Sequence, residues 1–422
     1  MNEGIIEQLV NTFKHDFELL QDDLGALEQA VQEKMQLLGK GLLQKFLDNG
    51  SHGYQGTSIA CRCGESMNFI QHRPKNIHTV FGWIKVRRSY YYCPDCGDSF
   101  VPFDKAGGLG SEQISPGLAR ACCLLAVDDS YQQVSRKIEQ LFGQRVCDDT
   151  VKQVVHKVGS AVLQQDKDQL ESFFANRQVP DSQAHPQRLY ITVDGTTVHQ
   201  DDGWHEAKVG CIYFEDEQFK HQRRYITSLD NSGIFGWQLW LEACRCGLRQ
   251  GKEVVYIGDG AGWIRTERQK HFGKSTFIID FYHASEHIWD CGKVLFGEGT
   301  EATGRWVHKR IAWLSDGCTR KLLNDLKRRR KRHRNLKREA LDNLIRYISF
   351  NEEQMRYDVF RSKGYDIGSG AVESACKSVV GKRLKQSGMR WSRAGSSAAL
   401  ALRVTWLNNR WEQLWQKKPL VA

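Results

Sequence analysis

Three acidic residues, far apart along the chain, stand where divalent-metal chemistry is possible. Asp194 follows the apolar run "RLYITV", Asp259 follows "EVVYIG", and Glu373 lies in "GSGAVESACKSVVGKRLK". Two carboxylates held close together repel each other unless a cation lies between them. Hard oxygen ligands suit Mg²⁺ or Mn²⁺, and a pair of such ions supports phosphoryl transfer. The residue types therefore fit that chemistry, provided that the fold brings them together.

The elements around Asp194 and Asp259 predict how these two acids meet. Three strands, "RLYITVDG", "HEAKVGCIYFED" and "QRRYITSLD", precede the helix "GIFGWQLWLEACRCG", the strand "EVVYIGDG", another helix and the strand "STFIID". This is the element order of the ribonuclease-H-like fold, in which the first and fourth strands are neighbours. We expect the first strand to end at Asp194 and the fourth at Asp259, so that their carboxylates lie side by side.

The helix predicted around Glu373 offers the third carboxylate. Ser369 is a possible N-cap, Cys376 belongs to an apolar face, and Lys377 follows Glu373 by one turn. A carboxylate backed by cations suits a site that holds metal and phosphate, whereas an ordinary surface Glu–Lys pair is the alternative and is favoured for this motif alone. The candidate DNA ligands here are Lys377, Lys382, Arg383 and Arg390.

A dense basic run interrupts the predicted catalytic domain. The chain has 60 Lys+Arg against 50 Asp+Glu, a net charge of +10, which favours a polyanionic partner. In "KRRRKRHRNLKR", residues 327–338, the basic side chains occupy every face of a helix, and such density repels itself without a polyanion. A solvated helix is the alternative. The predicted phosphate ligands are Lys327, Arg328, Arg329, Arg330, Lys331 and Arg332.

Two cysteine pairs flank a short β-rich stretch near the N-terminus. Cys61 and Cys63 form one pair, and Cys93 and Cys96 form the other. Four thiolates on tight turns of a small β unit can bind tetrahedral zinc, which then supplies folding free energy. Unligated buried cysteines are the alternative, and His72 or His78 can replace a ligand. The 13 cysteines are an odd number, which favours a reduced cytosolic setting over disulfides.

The rest of the N-terminal half is predicted to be helical. Apolar residues at helical spacing begin the chain. Three further helices follow: one capped by Ser115, one ending at Gly143, and one restarting at Asp148 or Asp149. The last two resemble a helix-turn-helix with Lys152 and Lys157 as DNA ligands, although any three-helix bundle gives a similar sequence pattern. The early apolar positions are Ile5, Ile6, Leu9, Val10, Phe13, Phe17 and Leu20.

These patterns divide the chain into four units. We expect N-terminal helices over residues 1–50, a zinc-ribbon-like β unit over 51–105 and a helix-turn-helix-like unit over 106–180, with a linker at 166–187. An α/β ribonuclease-H-like catalytic domain spans 181–422, with a helical insertion at about 290–365. The acidic N-terminus lacks the features of a signal peptide, and no apolar run is long enough to cross a membrane.

Two short motifs suggest other functions. "IGDGAGW" resembles a dinucleotide-binding turn, but Trp263 occupies the position of the third glycine and Asp259 would repel a pyrophosphate. "HASEH", residues 283–287, matches the H-x-x-E-H pattern of zinc peptidases. That reading leaves the acids and the basic run without a role. Both interpretations are therefore weaker than phosphoryl transfer.

Taken with their order, the motifs resemble those of the ISKra group of bacterial insertion-sequence transposases, distant relatives of Mutator-type transposases. The likeness covers the cysteine pairs, "VDGT", "IGDGAGWI", "IDFYHASEH" and, most specifically, "GSGAVESACKSVVGKRLKQSGMRWS". The resemblance implies a DDE triad of Asp194, Asp259 and Glu373, with Asp280 and His283 of a D-x-x-H signature beside it. The C-x-C spacing of the first cysteine pair departs mildly from the family pattern.

The resemblance also implies a function. The expected protein is a bacterial transposase that uses two Mg²⁺ or Mn²⁺ ions to cleave element ends and join them to target DNA, with a structural Zn²⁺ elsewhere. Its expected partners are terminal inverted repeats, target DNA and further copies of the chain, in the cytoplasm at the nucleoid and not at a membrane. The competing class is a catalytically inactive, zinc-containing DNA-binding protein derived from a transposase.

Overall fold

The computed structural model describes residues 7, 8, 10–14, 23–110, 112–215 and 221–416. The chain forms two compact units, one of residues 1–161 with 410–422 and one of residues 162–409. Several of the early apolar positions lie outside the described residues, namely Ile5, Ile6, Leu9, Phe17 and Leu20.

The first unit contains a four-stranded antiparallel sheet whose strand order follows the chain. Because neighbouring strands are antiparallel, the turn after the first strand and the turn before the last lie at the same end of the central hairpin. Those two turns carry the four paired cysteines. The strands are β1 (Ser58–Ala60), β2 (Ser66–Thr79), β3 (Gly82–Tyr92) and β4 (Ser99–Phe100).

The helices of the first unit begin and end where local sequence signals place them. The Ser115 side chain accepts the backbone N–H of Leu118, and Gly143 ends a helix in the left-handed conformation, which confirms both expected boundaries. A short helix, Trp411–Gln416, contributes Glu412, which pairs with Arg120 at 2.6 Å. The earlier helices are α1 (Leu24–Asp48), α2 (Pro102–Gly107), α3 (Pro116–Ala126), α4 (Tyr131–Phe142) and α5 (Asp148–Asn176).

The predicted linker at 166–187 is partly wrong. Helix α5 runs for 29 residues, so residues 166–176 are helical and only the remainder lacks regular structure. Leu170 and Phe173, both buried, pack with Leu241. These tertiary contacts stabilise the last turns of a helix that looks polar in sequence.

The second unit is organised around a five-stranded mixed sheet. Its order is β7-β6-β5-β8-β9, in which the first three strands are antiparallel and β5, β8 and β9 are parallel. Strand β5 does not end at Asp194 as predicted, because Gly195–Gln200 continues the antiparallel pairing with β6. The strands are β5 (Arg188–Gln200), β6 (Gly203–Glu215), β7 (His221–Ser228), β8 (Glu253–Gly258) and β9 (Thr276–Ile279).

Helices cover both faces of this sheet. Alternate residues of β5 separate the two cores, because side chains of a strand point to opposite faces in turn. Ile191 and Val193 pack with one helical layer, whereas Tyr190 packs with the other. The first layer consists of α6 (Ser232–Arg245) and α7 (Gly262–His271); the second begins with α8 (Phe281–Phe296).

The predicted helical insertion enlarges the second core. Buried side chains of its helices, among them Val307, Leu326 and Leu344, join Ile288 of α8 in one apolar cluster. The insertion comprises α9 (Glu301–Ser315), α10 (Thr319–Arg330), α11 (Asn335–Phe350), a 3₁₀ turn (Glu352–Met355) and α12 (Tyr357–Ser362).

The basic run 327–338 is not one solvated helix. It spans the end of α10, a turn and the start of α11. Asp325 pairs with Arg328 at 3.0 Å and with Arg329 at 3.4 Å, and Arg330 pairs with Asp342. Acids of the insertion thus offset part of the repulsion that the sequence alone led us to assign to a polyanion.

The segment that follows the insertion is irregular. Ser369 is the N-cap residue of its first helix, as expected, but its side chain makes no capping hydrogen bond. A π-helical stretch follows at Cys376–Gly381. The helices are α13 (Gly370–Ala375), α14 (Lys382–Leu384) and α15 (Arg393–Leu407). Within the described part of the chain, we find no helix whose length and apolar character suit a bilayer span.

Candidate active site and metal centre

Asp194 and Asp259 lie at adjacent points of neighbouring strands. The parallel pairing of β5 with β8 ends with Val193 opposite Gly258, so the next residue on each side is an acid. Parallel strands are about 4.8 Å apart, which sets the spacing of the two backbones. Asp194 continues the row of Tyr190 along β5, and Asp259 continues the row of Val255 along β8; both rows face the core that contains α8.

Both carboxylates are already positioned by hydrogen bonds. Asp194 accepts the backbone N–H of Gly195 at 2.7 Å, and Asp259 accepts that of Ala261 at 2.8 Å. The second bond forms a tight turn in which Gly260 has a φ of 86°, a conformation that favours glycine. Gly260 therefore belongs to the turn that orients Asp259, whereas Gly195 continues strand β5 and its own N–H binds Asp194.

The two acids also sense each other electrostatically. Burial is the largest cause of a raised pKa at Asp194, and the nearby charge of Asp259 raises it further. The Gly195 N–H and the Cys376 thiol counteract part of this rise. A pair of half-buried carboxylates in this position is the donor set that a divalent cation stabilises.

A thiol connects Asp194 to the segment that bears Glu373. The S–H of Cys376 donates to Asp194 Oδ2 at 3.5 Å, across 182 residues of sequence. Burial raises the pKa of Cys376 well above its usual range, with the Asp194 charge adding to the rise, so the thiol remains a donor. Glu373 lies three residues earlier, on α13, and its side chain is exposed.

The three acids do not close into a metal site with their side chains in these positions. We searched the described residues for groups of three or more His, Cys, Asp or Glu side chains whose ligand atoms all lie within 4.8 Å of one another. The four cysteines of the first unit form such a group, and the three acids do not. Asp194, Asp259 and Glu373 therefore do not all lie at ligand spacing; the two aspartates are half-buried, whereas Glu373 is exposed.

Asp280 connects two of the segments that form this site. It is 1% exposed and caps α8, with Oδ1 accepting the N–H of His283 at 2.8 Å. Its other oxygen accepts the N–H of Ser369, the residue that precedes α13. Gly368 lies against the Tyr282 ring, where a Cβ would come within 2.6 Å. The predicted D-x-x-H signature therefore holds the start of the Glu373 helix.

Two histidines of α8 continue the site towards the insertion. The rings of His283 and His287 are 4.8 Å apart, and the Tyr347 ring of α11 is 3.9 Å from that of His287. Glu286 lies 3.4 Å from His283 Nδ1 and is largely exposed. No third ligand joins the histidines at metal spacing among the described residues, which weakens the zinc-peptidase interpretation.

The predicted DNA ligands near Glu373 have different environments. Lys377, Lys382 and Arg390 are exposed, as a phosphate ligand requires. Arg383 is fully buried with its guanidinium 4.7 Å from the Trp391 ring centre, so its assignment as a DNA ligand is wrong. Its role is to pack within this unit, where the planar guanidinium stacks on an indole.

The other predicted DNA ligands lie in the two units as follows. Lys152 is exposed on α5, whereas Lys157 pairs with Glu112 at 2.8 Å. In the insertion, Lys327, Lys331 and Arg332 are exposed. The remaining residues of that run, Arg328, Arg329 and Arg330, form the ion pairs with aspartates described above.

The four cysteines of the first unit form a compact cluster. Cys61 Sγ lies 3.6 Å from Cys96 Sγ, and Cys63 Sγ lies 3.7 Å from Cys93 Sγ. A tetrahedral zinc with Zn–S bonds of about 2.3 Å sets its sulfurs about 3.8 Å apart. The measured spacing fits that geometry. His72 and His78, considered as alternative ligands, are not in the cluster.

Backbone amides of the two turns also favour thiolates. The N–H of Cys63 is the largest cause of a lowered pKa at Cys61. The N–H of Asp98 lowers the pKa of Cys96, but the three neighbouring thiols together raise it to about 12. Four crowded thiols cannot all ionise without a cation, and a bound dication removes that conflict. The donor set therefore fits zinc.

Sequence reasoning missed three side chains of the acidic site. It placed Cys376 on an apolar face, where a thiol looks like any small core residue. Tyr347 and Arg265 belong to no motif: Tyr347 approaches the site only because the insertion packs against α8, and Arg265 lies on α7, where its Nε donates to the Gly260 carbonyl. The "G-D-G" turn pointed to Asp259, and nothing beside it pointed to Arg265.

Fold and site define a mixed α/β protein with a cysteine cluster in one unit and a paired-carboxylate site in the other. Comparison with known protein families identifies the family to which the chain belongs. The model of the uncharacterised protein family UPF0236 matches residues 23–418, and the chain belongs to this family. A relative from Streptococcus gallolyticus, described as a UPF0236 protein in the vanSb 3′ region, is 24% identical over 434 residues, covering 96% of this chain and 86% of the relative.

Proposed function

We propose that this chain is a DDE-type DNA transposase related to the ISKra group, with a ribonuclease-H-like catalytic domain. The observation that carries the proposal is the pairing of Asp194 with Asp259 on neighbouring parallel strands, with the Glu373-bearing segment joined to Asp194 through Cys376. Such a set of acids suits phosphodiester chemistry with divalent cations.

The sheet of the second unit supports the fold part of this proposal. Three antiparallel strands come first in the chain, and the first of them then pairs with two parallel strands that alternate with helices. This is the arrangement that the ribonuclease-H-like element order predicts. The helical insertion falls between β9 and Glu373, where the ISKra resemblance expects it.

In this mechanism, Asp194, Asp259 and Glu373 would hold two Mg²⁺ or Mn²⁺ ions. Bound there, such ions would supply Lewis acidity for the attack of water or a DNA 3′-hydroxyl on the phosphodiester and for departure of the leaving oxygen. Asp280 links the start of the Glu373 helix to α8, because its oxygens accept the N–H of Ser369 and the N–H of His283. Burial keeps the Cys376 thiol protonated, so that it orients Asp194 without competing for a proton.

Basic and zinc-binding parts of the chain account for DNA recognition in this proposal. Lys385 Nζ lies 2.6 Å from Thr196 Oγ1, two residues beyond Asp194, and in this proposal its ammonium group binds a DNA phosphate. The cysteine unit and the helices around Lys152 recognise the terminal inverted repeats, with zinc as a structural ion. The protein acts as a homo-oligomer at the nucleoid in the bacterial cytoplasm.

A strand-transfer assay tests the proposal. The substrate is a linear duplex that carries the DNA flanking the gene, incubated with the protein, Mg²⁺ and a supercoiled target plasmid. We expect cleavage and joining that require the metal, and a loss of roughly a thousandfold or more in Asp259→Asn, as for other essential catalytic groups. The matched control is Asp290→Asn, an exposed acid of α8 that pairs with Lys293. Full activity in Asp259→Asn contradicts the mechanism.

One observation favours a second candidate, an inactive DNA-binding derivative of a transposase. Asp194, Asp259 and Glu373 do not all lie at ligand spacing, as a dead site also allows. In that case the wild-type protein binds the flanking duplex but cleaves it in neither Mg²⁺ nor Mn²⁺. The same assay therefore separates the two candidates, because binding and cleavage are read from one set of samples.

A further inference from the structure

The insertion brings an aromatic side chain to the acidic site. Tyr347, on α11, packs its ring 3.9 Å from the His287 ring and 6.4 Å from the His283 ring. His283 follows Asp280 in the first turn of α8, and its backbone N–H is bound by that carboxylate. The tyrosine therefore stands over the two histidines that line the site.

Hydrogen bonds attach the same part of the insertion to the turn that carries Asp259. Asn351 Nδ2 donates to the backbone carbonyl of Tyr347 at 2.8 Å, and Asn351 Oδ1 accepts from the Arg265 guanidinium. Arg265 Nε in turn donates to the carbonyl of Gly260 at 3.0 Å, one residue beyond Asp259. These contacts fix the position of Tyr347 relative to the Asp259 turn.

The hydroxyl of Tyr347 is buried and finds no hydrogen-bond partner among the described residues. The hydroxyl of Tyr357, also on the insertion, donates to the carbonyl of Ile279 at 2.9 Å. Burial raises the pKa of Tyr347, and the charges of Asp259 and Asp280 add to the rise, so the phenol stays protonated. A buried donor without an acceptor is unfavourable unless a ligand supplies one.

The surrounding acids do not serve as that acceptor. Asp280 already accepts a backbone N–H on each of its oxygens, and Asp259 accepts that of Ala261. A phosphodiester bound at this site brings unesterified oxygens, which carry negative charge and accept hydrogen bonds strongly. A neutral phenol is a donor suited to them beside carboxylates.

We propose that Tyr347 is a catalytic residue whose hydroxyl donates a hydrogen bond to an unesterified oxygen of the DNA phosphodiester held at Asp194 and Asp259. This inference rests on the proposed function and extends it, because it assigns part of the phosphate site to the helical insertion. It also gives the packing of α11 against α8 a direct role in the reaction.

The test compares Tyr347→Phe with wild type and with Tyr365→Phe in single-turnover cleavage of the flanking duplex. Tyr365 is the matched control, since its hydroxyl donates to Glu253 at 3.4 Å, at the opposite end of β8 from Asp259. For Tyr347→Phe we expect a rate about tenfold to a hundredfold lower, the loss typical of one hydrogen bond to a charged group, with DNA affinity within about twofold. We expect the rate of Tyr365→Phe to stay within about twofold of wild type.

Thermal unfolding of the same proteins separates a catalytic role from a structural one. Removing an unpartnered buried hydroxyl leaves the unfolding midpoint unchanged or raises it, whereas loss of a structural hydrogen bond lowers it. A Tyr347→Phe cleavage rate within about twofold of the wild-type rate overturns the proposal. A lower cleavage rate accompanied by a lower unfolding midpoint also overturns it, because the loss then reflects a damaged fold. A wild-type protein that does not cleave refutes the proposed function itself.

Discussion

The cysteine cluster and the acidic site assemble their ligands over very different stretches of sequence. Cys61 and Cys96 are 35 residues apart and lie in two turns of one small sheet. Asp194 and Cys376 meet across 182 residues, with a helical insertion in between. In the structure, the four cysteines are at ligand spacing, while the three acids together are not.

The difference teaches what each kind of site requires. Two turns at one end of a hairpin bring four thiols together with little loop-closure entropy, so the metal only has to complete a nearly formed site. Acids on two strands and a distant helix need additional contacts that hold them in position. Here these are the Asp280 carboxylate, the Cys376 thiol and the Arg265–Asn351 contact.

The largest stability effect is expected at the cysteine cluster. If the cluster binds zinc as proposed, Cys93→Ser should abolish zinc binding and lower the free energy of unfolding of the first unit by on the order of 5 kcal/mol, because metal binding at such sites contributes directly to folding. Zinc content by atomic emission and denaturant unfolding measure both effects. Cys318→Ser, a change at an exposed cysteine outside the cluster, is the control. Equal zinc content in Cys93→Ser and wild type contradicts the assignment.

A smaller effect on stability is expected at Asp280, whose carboxylate connects α8 to the Glu373 helix. Asp280→Asn keeps one acceptor oxygen but turns an NH₂ group towards a backbone N–H, so the free energy of unfolding should fall by about 1–3 kcal/mol. Cleavage should also fall, because the Glu373 helix loses its anchor. Chemical denaturation and the cleavage assay report the two quantities. If the free energy of unfolding and the cleavage rate of Asp280→Asn both match those of Asp290→Asn, Asp280 does not anchor the Glu373 helix.

The smallest effect is a pH dependence confined to the first unit. Burial lowers the pKa of His78 below its ordinary value of 6.5, and Gln144 offsets part of this. A histidine with a depressed folded pKa stabilises the fold above pH 6.5, and that stability is lost as the pH falls through the folded pKa. Unfolding midpoints at falling pH should therefore drop less in His78→Gln. Parallel curves for the two proteins exclude His78 as the cause.

Local signals in the sequence predicted much of this architecture. Ser115, Gly143 and the cysteine turns act within a few residues, so their structural consequences follow from short-range rules. The strand order that brings Asp194 beside Asp259 followed from the succession of elements. The structure puts the predicted acids on adjacent strands, as the pattern suggested.

Features that depend on distant packing were not predictable. The continuation of β5 beyond Asp194 depends on its β6 partner, and the length of α5 depends on the contacts of Phe173. The burial of Arg383 depends on Trp391, and the pairing of Arg330 depends on Asp342, 12 residues further along the chain. In each case the deciding side chain lies outside the window that a pattern covers.

The most direct measurement of the central claim maps where a divalent ion binds. Fe²⁺ substituted for Mg²⁺ generates hydroxyl radicals that cut the polypeptide beside the bound ion, and mass spectrometry locates the cuts. We expect cuts near Asp194, Asp259 and Glu373, all suppressed by excess Mg²⁺ and by Asp259→Asn. Cuts near the first two acids with none near Glu373, in protein bound to the flanking duplex, would contradict it.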